Sequence, residues 1–245
     1  MSKVRADQRL VTLGLAETRA RAQALILAGT VMLGDRAIAK AGQQIADDAP
    51  LSLKEKDHPW VSRGGLKLDH ALAHFGWDIT GQTVIDVGSS TGGFTHVALT
   101  RGAIKVHAVD VGHGQLDWRL RSDERVHVLE KTNARYLTAE QIGAPADLVV
   151  CDASFISLKT VLPAAMALTA SNARLIALIK PQFEVGKDEV GKGGVVRDPA
   201  LHEAVCADIE HWVAKEMSWR VVGITPSPIT GPKGNREFLI AAEKA

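Results

Sequence analysis

The stretch Thr83-Val84-Ile85-Asp86-Val87-Gly88-Ser89-Ser90-Thr91-Gly92-Gly93-Phe94-Thr95 runs from apolar residues through an acid into a loop of small residues. Such a run predicts a strand, a tight loop and a helix over about 94–101, a turn that holds ligands at the carboxyl edge of a parallel sheet. Glycines let the backbone pass close to a ligand, and Asp86 is positioned to reach across to it. The loop Gly88, Ser89, Ser90, Thr91, Gly92, Gly93 lacks the dinucleotide spacing Gly-x-Gly-x-x-Gly, so no pyrophosphate is expected on the helix end. An acid followed by small residues suits a cationic ligand with an amino-acid end, such as S-adenosylmethionine. A purely structural glycine loop is the competing reading. Asp110 ends a second strand, 24 residues after Asp86, where an acid suits the two ribose hydroxyls of an adenosine.

Four further groups fall at the ends of predicted elements: Lys67, Asp152, Lys180 and Glu237. On one sheet edge, two lysines and two acids could lower a lysine pKa by repulsion or burial, or hold it by pairing. A lysine brought towards neutrality could act as base on a very weakly acidic ribose hydroxyl held in line with a methyl donor. Two structural salt bridges would use the same residue types, and on the residues alone that reading stands ahead.

Positioning these groups requires an alternation of strands and helices. Strands are predicted over 103–109, 126–130, 147–152 and 175–179, with helices over 161–168 and 199–217. The last two strands, 219–224 and 237–242, follow each other without a helix, so one of them is expected to be antiparallel. The fold class is α/β: a Rossmann-like, doubly wound, mostly parallel sheet of the methyltransferase kind, with a small α+β domain before it.

That small domain is expected over residues 1–58, with a linker at 59–63 and the large domain over 64–245. Helices are predicted over 5–13 and 17–28, a hairpin around Gly34-Asp35, and strand positions at Ile45 and 51–53. Lys54 to His58 is polar and charged, and Pro59 ends the preceding strand. Residues 1–50 carry seven basic and five acidic side chains, and Arg5, Arg9, Arg19 and Arg21 gather on the two helices. They form either a solvated face or a phosphate-contacting patch.

Composition narrows the classes. The net charge of +1 announces no global nucleic-acid binder, and 46% hydrophobic residues is ordinary for a globular chain. Cys151 and Cys206 lack metal-type spacing and fit a reducing compartment, so no metal is expected and the cytoplasm is the default. No apolar run nears the ~20 residues of a membrane span, and the first residues lack a signal-peptide core.

Several long motifs, in one order, resemble the TlyA family of bacterial ribosomal RNA methyltransferases, some of which bear the label haemolysin. They include Trp60-Val61-Ser62-Arg63-Gly64-Gly65-Leu66-Lys67, the loop at 86–95, Asp152-Ala153-Ser154-Phe155-Ile156-Ser157, Lys180-Pro181-Gln182-Phe183-Glu184 and Gly234-Asn235-Arg236-Glu237-Phe238-Leu239. The resemblance implies an alpha-L type, ribosomal-protein-like RNA-binding domain followed by an FtsJ-like domain. It implies methyl transfer from S-adenosylmethionine to a cytidine 2′-hydroxyl in ribosomal RNA. The family's lysine–aspartate–lysine–glutamate tetrad falls on Lys67, Asp152, Lys180 and Glu237, with Lys180 as base. Cofactor contacts fall on Asp86, Gly88 to Phe94, Asp110, Val111, Glu130, Asn133 and Asp152. Arg5, Arg9, Arg19, Arg21 and Arg63 are the RNA-contacting candidates, and the expected partner is ribosomal RNA or a ribosomal subunit, met by a monomer. The chain departs from the family at the Gly34-Asp35 turn, and at His58, where some relatives have arginine. Two other functions compete: a membrane-active haemolysin and a non-catalytic ribosome assembly factor.

Overall fold

The computed structural model describes residues 3–27, 29–53 and 58–244. Ala28 and the charged run 54–57 lie outside the described residues. The chain divides into two compact units between Pro59 and Trp60. Residues 60–63, expected as linker, belong to the second unit, where Trp60 is buried.

The small unit contains β1 (Lys3–Arg5), α1 (Ala6–Thr12), α2 (Arg19–Leu27), β2 (Val31–Leu33), β3 (Arg36–Ala37), β4 (Gln44–Ala46) and β5 (Leu51–Leu53). β1 pairs with β4, and β2 lies between β3 and β5, all antiparallel. Ala6, Leu10, Ala22, Ile26, Val31, Ile38 and Ile45 close one apolar core. Arg5 precedes α1 in extended backbone instead of starting it. α2 starts at Arg19 rather than residue 17; the Thr18 hydroxyl accepts from the Arg21 N–H and marks the first turn.

The large unit runs α3 (Gly64–Phe75), β6 (Thr83–Val87), α4 (Gly93–Thr100), β7 (Lys105–Val109), α5 (Trp118–Arg121), β8 (Val126–Leu129), α6 (Ala139–Ile142), β9 (Ala146–Cys151), α7 (Leu158–Ala167), β10 (Thr169–Ile179), α8 (Pro181–Glu184), α9 (Pro199–His211), β11 (Trp219–Pro226) and β12 (Phe238–Lys244). Its seven strands are ordered β11-β12-β10-β9-β6-β7-β8. The strands from β10 to β8 are parallel, whereas β12 is antiparallel to both its neighbours. This is the mostly parallel sheet with one reversed closing strand that the sequence predicts.

Apolar cores cover both faces, so the central strands read as unbroken hydrophobic runs. Ile85, Val149, Cys151, Leu175 and Ala177 face one core, while Val84, Leu148, Val150, Ile176 and Leu178 face the other. The parallel strands share a direction, and their carboxyl ends deliver Val87, Asp110, Asp152 and Lys180 to one edge.

Candidate active site

Lys67, Asp152, Lys180 and Glu237 meet at this edge although up to 170 residues separate them. Lys67 comes from the first turn of α3, Asp152 and Lys180 directly follow β9 and β10, and Glu237 directly precedes β12. Trp60 holds the start of α3: a Cβ on Gly65 would lie 2.4 Å from its ring, so only glycine allows that approach. The Val61 N–H donates to His96 Nδ1 at 3.1 Å, tying the same segment to α4.

The four charges form one chain of ion pairs. Lys67 Nζ stands 2.8 Å from Glu237 Oε2 and 3.3 Å from Asp152 Oδ2, and Lys180 Nζ stands 2.6 Å from Asp152 Oδ1. Lys180 also donates to the Asp152 carbonyl at 3.1 Å and to Ser154 Oγ at 2.9 Å. Lys67, Lys180 and Glu237 are all buried, and Asp152 bridges the two lysines. Burying three charges around a half-buried fourth is a poor route to stability, because desolvation offsets most of the attraction. Their position in a cavity wall favours a chemical use.

That cavity has a volume of about 740 Å³, in the range of small-ligand sites. It brings the tetrad together with Gly88, Ser89, Ser90, Thr91, Gly93 and Phe94, and with Arg63. Gly88 has φ +80°, and a Cβ there would lie 2.9 Å from the Ala153 Cα, so the loop presses backbone to backbone on the end of β9. Ser90 also adopts a positive φ, of 47°.

Other predicted cofactor residues lie outside the cavity lining. Asp86 is not among the residues that line the cavity. It is fully buried behind the loop, accepting from Thr95 Oγ1 at 2.6 Å, while its Oδ1 has no hydrogen-bond partner. Burial pushes its carboxyl up to about 7. Asp110 accepts from the Ser90 N–H at 2.8 Å and the Gly112 N–H at 2.6 Å, so both its oxygens hold backbone. Glu130 accepts from the Gly114 N–H at 2.9 Å, pairs with His113 Nδ1 at 3.0 Å and binds Arg121. Burial raises the Glu130 carboxyl, but these partners outweigh it and bring it down to about 2. Asn133 caps a short turn by accepting from the Arg135 N–H. Gly92, Val111, Glu130 and Asn133 do not line the cavity, and Val111 is exposed beside it in sequence only.

The sequence reading missed Ser154, Phe155 and Phe183 as cavity residues. Phe155 is 89% exposed, has φ +65° and sits with its ring 5.1 Å from that of Phe183. A bulky residue in left-handed backbone facing solvent is costly, which marks the position as functional. An aromatic three residues after a strand-end acid is the one signal that points to it.

In the small unit, Asp7 is wholly buried and gathers two of the predicted arginines, Arg5 and Arg19. It accepts from Arg5 Nε at 3.0 Å and Nη2 at 2.9 Å, from Arg19 Nε at 3.0 Å and from Gln23 Nε2 at 3.0 Å. The Arg5 hydrogen bond, with those of Gln23 and Arg19, holds its carboxyl well below the usual range. Arg9 lies 3.7 Å from Asp47, and Arg21 is exposed with no ion pair among the described residues. No cluster of three metal-ligating side chains occurs among the described residues, and no helix there is long and apolar enough to cross a membrane.

Comparison with known proteins agrees with this geometry. A family model described as FtsJ-like methyltransferase matches residues 60–244. The 16S/23S rRNA (cytidine-2′-O)-methyltransferase TlyA of Mycobacterium tuberculosis is 47% identical over 239 residues, covering 97% of this chain and 89% of that protein. The Brachyspira hyodysenteriae protein named Hemolysin A is 36% identical, covering 96% of this chain and 98% of its own. A solved Streptococcus thermophilus structure, described as a candidate hemolysin, superposes with a TM-score of 0.77 at 41% identity, covering 100% of this chain and 90% of that one.

Proposed function

The chain belongs to the FtsJ-like methyltransferases and, within them, to the TlyA family; from that premise we propose that it moves a methyl group from S-adenosylmethionine to the 2′-hydroxyl of a cytidine in ribosomal RNA. The observation that carries the reading is the buried chain Glu237–Lys67–Asp152–Lys180 in the wall of the cavity that the small-residue loop lines. A loop whose backbone fits only glycine at 88, in the wall of the cavity that holds the tetrad, suits a compact ligand held at close range.

Ser89, Ser90, Thr91, Gly93 and Phe94 would hold that ligand, with Asp86 and Asp110 fixing the loop. When bound, S-adenosylmethionine supplies an electrophilic methyl group on a positively charged sulfur. Lys180 serves as base for the ribose hydroxyl, and Asp152 fixes the direction of its amine and stabilises the ammonium that forms there. Lys67, held by Glu237 and Asp152, steadies the hydroxyl or the adjoining phosphate. Phe155 presents an aromatic face at the cavity on which an unstacked base can lie.

Arg63 lines the same cavity and donates to the Thr230 carbonyl, so it meets the RNA backbone near the target. The small unit supplies RNA docking through Arg9, Arg19, Arg21 and Arg5, of which Arg21 is the least engaged with acids. This reading places the protein in the cytoplasm, acting as a monomer on ribosomal RNA or subunits, without a metal. It is tested by nucleoside mass spectrometry of ribosomal subunits that lack the modification. Incubation with the protein and S-adenosylmethionine should make 2′-O-methylcytidine appear. Its absence, where a control methylase succeeds, would overturn the reading.

A further inference from the structure

Three oxygens surround Lys180 Nζ: Asp152 Oδ1 at 2.6 Å, Ser154 Oγ at 2.9 Å and the Asp152 carbonyl at 3.1 Å. The carboxylate and the carbonyl can only accept hydrogen bonds; the serine hydroxyl alone carries a hydrogen. A lysine that acts as a base holds two N–H groups and one lone pair. Asp152 Oδ1 pairs with Nζ by charge and accepts no hydrogen bond from it, so the amine's hydrogen-bond partners are the Asp152 carbonyl and Ser154 Oγ, and of these two only Ser154 can give a hydrogen back to the lone pair. Ser154 is exposed and lines the cavity beside Lys180, so its hydroxyl is open to a ribose bound there.

We propose that Ser154 relays the proton of the target ribose hydroxyl to Lys180, an inference that rests on the methyltransferase reading above. As the ribose oxygen bonds to the methyl carbon, the methyl–sulfur bond breaks and its electron pair stays on sulfur. The ribose proton passes to Ser154 Oγ, and the serine's own proton passes to the Lys180 lone pair. The positive charge lost at sulfur reappears on the Lys180 ammonium, so atoms and charge balance.

The test is single-turnover methyl transfer to ribosomal subunits by wild type, Ser154→Ala and Ser154→Thr. Ser154→Ala should slow transfer by about tenfold or more, with unchanged affinity for RNA and S-adenosylmethionine, and Ser154→Thr should restore most of the rate. In mixtures of light and heavy water, wild type should show the curved rate dependence of two protons in motion, and Ser154→Ala a straight one. In the unloaded protein, NMR titration of the lysine Cε signals, assigned through Lys67→Arg and Lys180→Arg, should show the Lys180 midpoint move in Ser154→Ala while that of Lys67 stays. A Ser154→Ala rate within twofold of wild type, a straight dependence in wild type, or an unmoved Lys180 midpoint would overturn the relay. Wild type that methylates no ribosomal RNA would instead remove the reading beneath it, and the titration would still report on the Ser154–Lys180 contact.

Discussion

Asp86 stands beneath the loop as a carboxyl cut off from water, with the Thr95 hydroxyl on one oxygen and nothing on the other. Its ordinary value is 3.8 and burial lifts it to about 7 in the fold. Between those two pH values the folded protein holds a proton that the unfolded chain has released, so this contribution to stability is present at low pH. It is lost as the pH rises from about 4 to about 7. Asp86→Asn keeps an acceptor for Thr95 and never ionises. In urea unfolding it should therefore match wild type near pH 4 and exceed it at pH 8, by up to about 4 kcal/mol. An equal loss at both pH values would contradict this account. The residue scale also shows where sequence reading works and fails. Lys67, Asp152, Lys180 and Glu237 were legible as charges at element ends, but residue types alone favoured structural salt bridges, and it was the family's tetrad motif that singled them out. Asp86 looked the same, but the two-residue strand period turns it into the core with Val84, away from the cavity. Ser154 carried no signal, because its role comes from distances to Lys180.

At the scale of elements, the loop between β6 and α4 works by close approach. Gly88→Ala would put a methyl carbon 2.9 Å from the Ala153 Cα and 3.0 Å from its nitrogen, in backbone that L residues rarely adopt. Neither strand end can yield without moving Asp152. The variant should lose about 1–3 kcal/mol of stability and at least tenfold in affinity for S-adenosylmethionine, read by thermal unfolding and calorimetric titration. Unchanged affinity would show that the loop does not hold the ligand. Long elements buried on both faces, such as β6, β9 and β10, were readable as apolar runs, and the reversed strand followed from two strands without a helix between them. β1, α5, α6 and α8, of three or four residues, are too short to show a period. The same brevity hid the turn of α8, whose N-cap is Lys180 itself.

Across the whole molecule, the proposed function gives RNA docking to the small unit and chemistry to the large one, and the arginines of the small unit fall into two groups. Arg5 and Arg19 secure the buried Asp7, whereas Arg21 is exposed. Arg5→Ala should therefore destabilise the small unit, since it leaves a buried carboxylate short of partners. Arg21→Ala should leave thermal unfolding unchanged, weaken binding to ribosomal RNA and reduce the salt dependence of log affinity by about one unit. If Arg21→Ala binds RNA like wild type, the small unit docks through another face. The boundary near residue 59 was legible from Pro59 and the charged stretch before it, but the burial of Trp60 against Gly65 was not, because it depends on contacts with α3. The central claim, that Lys180 is the base of a ribose methyltransferase, is tested most directly by tritiated methyl transfer. Purified small and large ribosomal subunits lacking the modification receive S-adenosylmethionine with either wild type or Lys180→Ala, cofactor binding being checked for both. The account predicts label in ribosomal RNA with wild type and a loss of at least about 100-fold with Lys180→Ala. Equal label from both proteins would contradict it.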